Sequence, residues 1–131
     1  MKEVLNITLI VNTTASSFSP RKLKVIETAL NNFGNLRIEN TKKRGHAIEI
    51  AKKCAENNED IVFVLAGDGT LNEAAQGLIN TDTVLAPIPG GSTNVFARAI
   101  GYSNDPIEAL GELIVSIENK SYKKIGVGKI N

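Results

Sequence analysis

Short apolar runs with a β-strand pattern alternate with longer helical segments along this chain, and this alternation constrains its fold more than any other feature. The strand-like runs cover residues 7–11, 36–39, 61–65 and 84–88. The third run is apolar at every position, which is typical of a strand that helices cover on both faces. The alternation predicts an α/β fold of three layers, in which a mostly parallel, Rossmann-like sheet has helices on both faces.

Segments with helical spacing follow these strands. Pro20 and Pro106 open two of them, at a position where the missing N–H of proline costs no hydrogen bond, and Asp105 is expected to cap the second. Gly34 is expected to end the first. The predicted helices cover residues 20–33, 45–57, 71–79 and 95–100, and a last one starts at 106. Expected on buried faces are Ala47, Ile48, Ala51 and Ala55 of the second helix, and Ile107, Leu110, Leu113, Ile114 and Ile117 of the last. A final strand is predicted over residues 122–130.

Composition and charge narrow the class of protein. A length of 131 residues fits one domain rather than two. Lys and Arg total 15 against 14 Asp and Glu, and a net charge of +1 gives no electrostatic reason to expect a nucleic-acid partner. No window approaches the roughly 20 apolar residues that a membrane-spanning helix needs. The single cysteine, Cys54, excludes an internal disulfide, and we expect a cytoplasmic protein in which this thiol belongs to the core.

A glycine-rich turn follows the third strand and leads directly into a helix. Gly67 and Gly69 allow a sharp turn and the close approach of a ligand, and a helix N-terminus at this point attracts phosphate. Thr70 is expected to cap this helix, with Glu73 three residues later as its capping-box partner. The carboxylate of Asp68 would repel a phosphate, so we expect a Mg²⁺ between them, held directly or through water. The alternative is an ordinary Asp-Gly turn before a capped helix.

Three further loops follow strands at the same edge of the predicted sheet. Residues 89–94 carry two glycines and the hydroxyl of Ser92, and residues 12–17 are also small and rich in hydroxyls. Because the carboxyl ends of neighbouring parallel strands meet at one edge, these loops predict a single anion-binding crevice. Residues 42–44 are Lys-Lys-Arg, which would assist a polyphosphate or, alternatively, form a solvated loop. His46 has no second histidine or nearby cysteine, which makes it a poor metal ligand.

The two central loops resemble the motifs of a known family. Residues 67–73, Gly-Asp-Gly-Thr-Leu-Asn-Glu, are similar to the signature of the diacylglycerol kinase catalytic domain. Residues 89–98 resemble the second motif of that family, P-x-G-[ST]-x-N-x-F-A-R. The resemblance continues in residues 12–16, in a T-x-x-x-G-x-A segment that starts at Thr41, and in residues 124–131, so it spans nearly the whole chain.

This resemblance implies an ATP-dependent lipid kinase that meets diacylglycerol or a related lipid alcohol at the membrane surface, peripherally. Residues 1–131 would form the nucleotide-binding domain, and 122–131 the strand that leads into a β-rich domain, absent here, with the lipid site and the general base. The chain alone is therefore expected not to transfer a phosphoryl group. ATP and Mg²⁺ are the implied cofactors. The implied nucleotide-binding residues are Asn12, Ser16, Thr41, Gly67, Asp68, Gly69, Thr70, Asn72, Glu73 and Ser92, and Asp68 is also the implied catalytic residue and metal contact.

Two alternatives stay open at the level of the sequence. One is a related phosphotransferase of the NAD-kinase or sphingosine-kinase type. NAD kinases share the G-D-G-T turn, but they are not expected to show the pattern in residues 92–98. The other is a degenerate, non-catalytic nucleotide-binding or regulatory module, because Val95 and Gly126 stand where many family members have an acidic residue. The sequence leaves the acceptor lipid and the oligomeric state open.

Overall fold

The computed structural model describes residues 4–13, 19–89 and 105–118 of the chain. The predicted helix over residues 95–100 and the predicted strand over residues 122–130 lie outside these ranges. In chain order the elements are β1 (Asn6–Val11), α1 (Pro20–Phe33), β2 (Asn35–Asn40), α2 (His46–Glu56), β3 (Ile61–Ala66), α3 (Asp68–Gly77), β4 (Val84–Pro89) and α4 (Pro106–Glu118).

The four described strands form one parallel sheet in the order β2-β1-β3-β4. At the centre of the sheet Leu9 of β1 lies beside Ile38 of β2 on one side and Phe63 of β3 on the other. Parallel pairing places the carboxyl ends of all four strands at one edge, where the loops that the sequence singles out begin. The prediction of a parallel α/β sheet is confirmed.

Helices cover both faces of this sheet. On one face α1 and α4 pack side chains such as Leu30 and Leu113 against alternate strand residues, among them Phe63. On the other face α2 and α3 pack against the residues between those, including Val62 and Val64. All six residues of β3 are buried, as a strand covered on both sides requires. The predicted three layers are therefore confirmed.

The helices α2 and α3 lie against each other as a close pair. Gly77 sits at the contact, since a Cβ atom added there would come within 2.5 Å of the Ile48 carbonyl oxygen and 2.9 Å of the Ala51 Cβ. The predicted buried face of α2 was partly wrong. Ile50 and Cys54 are buried with Ala47 and Ala51, whereas Ile48 and Ala55 are only partly covered, because the face is set by contact with both α3 and the sheet.

Most predicted ends of elements are close to the observed ones. Gly34 ends α1 as predicted, although its φ of −174° is extended backbone that any residue adopts. Glycine is needed there for space, since a Cβ atom would lie 2.7 Å from the Leu5 carbonyl oxygen. Ile107 was expected in the core and is 38% exposed, in the first turn of α4.

Buried threonines tie the strands together at the amino edge of the sheet. The Thr8 hydroxyl donates to the Glu59 carboxylate at 3.0 Å, and the Thr83 hydroxyl donates to the Glu59 carbonyl oxygen at 2.9 Å. Both hydroxyls thereby obtain the partner that a buried polar group needs. Within the described ranges, no helix is both long enough and apolar enough to cross a membrane.

Candidate functional site

A cleft of about 290 Å³ opens where the carboxyl ends of β1 and β2 meet the first turns of α3. The loop after β1 contributes Asn12, and the loop after β2 contributes Thr41 and three cations. The described residues that line the cleft are Asn12, Thr41, Lys42, Lys43, Arg44, Gly69, Thr70 and Glu73. A polar cleft with cations on one wall and a helix N-terminus on another is suited to an anion.

Five of the residues named from the sequence meet in this cleft: Asn12, Thr41, Gly69, Thr70 and Glu73. Gly67 and Asp68 belong to the same turn without lining the cleft, and Asn72 is exposed on α3. Ser16 and Ser92 lie outside the described residues. For all ten residues that the resemblance names, a role in nucleotide binding stays a prediction.

The loop between β2 and α2 is held by its own backbone. The Thr41 amide donates to the Val11 carbonyl oxygen at 2.9 Å, which continues the β1–β2 pairing by one residue. The Lys42 amide donates to Nδ1 of His46 at 2.9 Å, and the His46 amide donates to the Lys43 carbonyl oxygen at 3.2 Å. The His46 side chain therefore holds the loop by accepting a hydrogen bond from a backbone amide. Its position at a predicted helix start did not by itself predict this partner.

The side chains of Lys42, Lys43 and Arg44 are exposed along the cleft. The side chains are solvated and also line the cleft, and their role toward a polyphosphate stays a prediction. We call these three residues the cationic segment. Their charges act in a concave, partly enclosed space, where electrostatic attraction to an anion is stronger than on an open surface.

The predicted capping box at the start of α3 was wrong. The helix begins at Asp68 rather than Leu71, and its N-cap residue is Gly67, in extended conformation and without a side-chain cap. Thr70 lies inside the first turn, so its hydroxyl is not at the capping position. Glu73 instead accepts a hydrogen bond from the Gly45 amide at 3.0 Å, at the start of another helix. Local spacing could not reveal a partner 28 residues away in the chain.

The carboxylate of Asp68 lies in the first turn of α3, with its Oδ1 atom buried. A carboxylate at a helix N-terminus is favourably placed relative to the helix dipole. Nowhere in the described ranges do three His, Cys, Asp or Glu side chains gather as a metal site would require.

Cys54 takes no part in this cleft. Its side chain is buried between α2 and the sheet, as the sequence predicts. Burial raises the pKa of its thiol, opposed by a hydrogen bond with Thr8. A protonated, enclosed thiol is a poor nucleophile.

Comparison with known proteins identifies the family. A family model described as the diacylglycerol kinase catalytic domain matches residues 6–130. The chain belongs to this family. The diacylglycerol kinase of Bacillus subtilis (strain 168) is 35% identical over 89 residues, and that of Staphylococcus aureus (strain JH9) is 38% identical over 93 residues. These alignments cover 66% and 70% of the chain.

The fold is also similar to that of a solved family member. The crystal structure of a diacylglycerol kinase from Bacillus anthracis str. Sterne matches with a TM-score of 0.76 and 29% identity, over 88% of this chain and 42% of that one. The two curated relatives are matched over only 28% of their own length. The chain therefore matches only a minor part of the length of each relative. The resemblance seen in the sequence motifs is confirmed.

Proposed function

We propose that this chain is the ATP-binding part of a lipid kinase, which transfers the γ-phosphoryl group of ATP to a lipid hydroxyl such as that of diacylglycerol. The observation that carries the proposal is the cleft in which Gly69 and Thr70 of the family signature face the cationic segment. Membership of the diacylglycerol kinase family supports the reaction class. The names of the relatives support diacylglycerol as the acceptor.

The chain's own residues would bind and orient the phosphates. Gly69 and Thr70 lie in the first turn of α3 and line the cleft, at the end of the helix where the helix dipole favours phosphate oxygens. The cationic segment would neutralise charge on the opposite wall of the cleft. Phosphoryl transfer needs little covalent chemistry from the protein and depends mainly on positioning and charge neutralisation, which are what these groups supply.

Magnesium would complete the charge balance of the proposed site. Bound with the nucleotide, Mg²⁺ would neutralise charge on the phosphates. The carboxylate of Asp68, in the turn that adjoins the cleft, would hold the water shell of the ion and thereby orient the phosphates. We assign the lipid site and the general base to parts of the protein outside the described residues, with the lipid met at the membrane surface.

Calorimetric titration with ATP tests this proposal. We expect the folded 131-residue chain to bind ATP with a dissociation constant on the order of micromolar to millimolar, because half a site provides limited binding energy. Asp68→Ala should weaken binding when Mg²⁺ is present and should leave it unchanged or slightly tighter when Mg²⁺ is absent, because the carboxylate then repels the phosphates. Asp82→Ala is the matched control, since it removes the same charge from the exposed amino edge of the domain.

The longer protein separates the remaining outcomes. Absence of ATP binding both by this chain, shown to be folded, and by the corresponding full-length protein would overturn the proposal. Binding of ATP by a full-length protein that transfers no phosphoryl group to diacylglycerol, or to other lipid alcohols, would identify the non-catalytic module instead.

A further inference from the structure

A groove of about 1040 Å³ lies at the amino edge of the sheet, opposite the cleft. It runs past the turns that precede β3 and β4 and is bordered by the C-terminal ends of α1, α2 and α4. We call this space the amino-edge groove. Its lining combines apolar side chains with four carboxylates, and the residues that matter here are Phe33, Glu59, Asp60, Asp82, Ile117 and Glu118.

Two of these carboxylates are held in place by the sheet. Oδ2 of Asp60 accepts a hydrogen bond from the Asn6 amide at 2.8 Å, and Oε1 of Glu59 accepts one from the Thr8 hydroxyl at 3.0 Å. The Val84 amide donates to the Asp60 carbonyl oxygen at 3.0 Å, which ties the turn before β3 to the start of β4. The negative wall of the groove is therefore part of the fixed frame of the fold.

The helices add to this negative potential. The C-terminal end of a helix carries a partial negative charge, which a basic residue in the last turn usually offsets. Neither α1 nor α4 has a basic residue in its last turn, and Lys53 of α2 does not line the groove. Among the described residues that line the groove there is no lysine or arginine. The groove is thus electrostatically complementary to a cationic partner.

A metal ion is a poor match for this groove. Within the part of the chain that the structure describes, no three His, Cys, Asp or Glu side chains converge as metal ligands would. The carboxylates are instead spread along a groove that also has apolar walls at Phe33 and Ile117. Such a surface suits a stretch of polypeptide whose cations alternate with apolar side chains.

The chain itself supplies such a stretch directly after α4. Residues 119–131 lie outside the described residues, and their sequence contains four lysines and no acidic residue. Lys120, Lys123 and Lys124 follow Glu118 within six positions, with Tyr122 between them. Six extended residues span up to about 20 Å, and Glu118 already lines the groove, so the tether brings these lysines within reach.

We propose that residues 119–124 dock in the amino-edge groove, with the three lysines against its carboxylates and Tyr122 against its apolar walls. Docking offsets the negative ends of α1 and α4 and fixes the direction in which the chain continues after α4. Because the segment is tethered, it occupies the groove at a high effective concentration. The inference is independent of the proposed function, since the groove and the cleft lie at opposite edges of the sheet.

Hydrogen exchange of the 131-residue chain, followed by mass spectrometry, tests the inference. In the original chain the amides of residues 120–124 should exchange about tenfold more slowly than in an unstructured peptide of the same sequence, and high salt should reduce this protection. The double variant Asp82→Lys and Glu118→Lys reverses the charge of the groove, and Lys120→Glu with Lys123→Glu reverses that of the segment. Each pair alone should abolish the protection, and the two pairs combined should restore most of it.

A matched control reverses two carboxylates elsewhere. Glu49 and Glu108 are exposed in the first turns of α2 and α4, outside the groove, so Glu49→Lys with Glu108→Lys should leave the protection of residues 120–124 unchanged. Slow exchange in β3 shows that each variant is folded. If a reversed variant fails this criterion, Asp82→Asn with Glu118→Gln replaces it and should reduce the protection about threefold.

The other outcomes overturn the inference. Exchange of residues 120–124 at the rate of an unstructured peptide in the original chain would mean that the segment does not dock. Protection that survives reversal of the groove, or that the combined variant does not restore, would place the segment elsewhere. Protection that rises with protein concentration would show that a second copy of the chain, and not the tethered segment, fills the groove.

Discussion

Asp105 combines a helix cap with an ion pair. Its Oδ2 atom accepts a hydrogen bond from the Glu108 amide at 2.9 Å, and its Oδ1 atom lies 3.3 Å from Nζ of Lys22 in α1. The bond from the Glu108 amide, with a further contribution from Lys22, lowers the pKa of this carboxyl below its ordinary value of 3.8. One residue thus stabilises the first turn of α4 and its contact with α1.

Asp105→Ala should destabilise the protein by about 1 kcal/mol at neutral pH, the usual effect of losing an N-cap, with little added by an ion pair this exposed. Because the folded pKa is lowered, the part of this stabilisation that depends on the charge is complete above the ordinary pKa and is lost as the pH falls through the folded one, whereas the neutral carboxyl keeps a capping oxygen. Denaturant unfolding of both proteins across the acidic range should show the difference shrinking below about pH 3.8. Asp105→Asn, which keeps the capping oxygen, should lose less, and a difference between the original protein and Asp105→Ala that does not shrink in acid would contradict this account.

At the scale of elements, α2 and α3 form a single unit beneath the cleft. Gly77 allows their close approach at one end, and the Glu73–Gly45 hydrogen bond joins them at the other. Side chains such as Ala51 and Ala74, both fully buried, keep the separation small. The signature turn at the start of α3 and the cationic segment before α2 are therefore held in a fixed relation.

Gly77→Ala should destabilise the protein by about 1–3 kcal/mol, because the added methyl group overlaps the Ile48 carbonyl and the helices must separate. Gly111→Ala is the matched control. Gly111 lies inside α4, where an added Cβ atom would meet no other atom within 4 Å, so the same change should stabilise by about 0.5–1 kcal/mol. Chemical denaturation of the two variants measures the change in the free energy of unfolding for each. If both substitutions change it in the same direction, the close approach of α2 and α3 does not restrict the side chain at position 77.

At the scale of the whole molecule, stability is concentrated at the centre of the sheet. The strand β3 pairs with β1 and β4 and is buried on both faces, whereas β2 lies at an edge of the described sheet with no fully buried residue. Phe63 also packs edge-on against Phe33 of α1, with ring centroids 6.3 Å apart. The cleft lies toward the less buried side of the sheet, between the ends of β1 and β2.

Native-state hydrogen exchange should follow this gradient. We expect the amides of β3 to exchange only through global unfolding, because opening them exposes the core on both faces, and those of β2 to exchange faster through local opening. The two strands have six residues each, so β2 serves as an internal control of equal length. Equal protection in both would mean that the edge strand does not open separately.

The sequence by itself determined the features that depend on near neighbours in the chain. The apolar run of β3 predicted its burial on both faces, and Pro20, Pro106 and Asp105 predicted the starts of two helices. These succeed because periodicity, proline geometry and capping act within a few residues. The glycine-rich turn after β3 also placed Gly69 and Thr70 at the carboxyl edge, since all parallel strands end there.

Only the tertiary structure decided the contacts between distant residues. It assigned Glu73 to the Gly45 amide instead of a local capping box, and it buried Ile50 in place of Ile48. It also brought the cationic segment to the cleft, where the sequence left a solvated loop as an alternative. A carboxylate takes whichever amide the packing presents, and the packing of α2 on α3 depends on the whole sheet, so no window of the sequence contains that information.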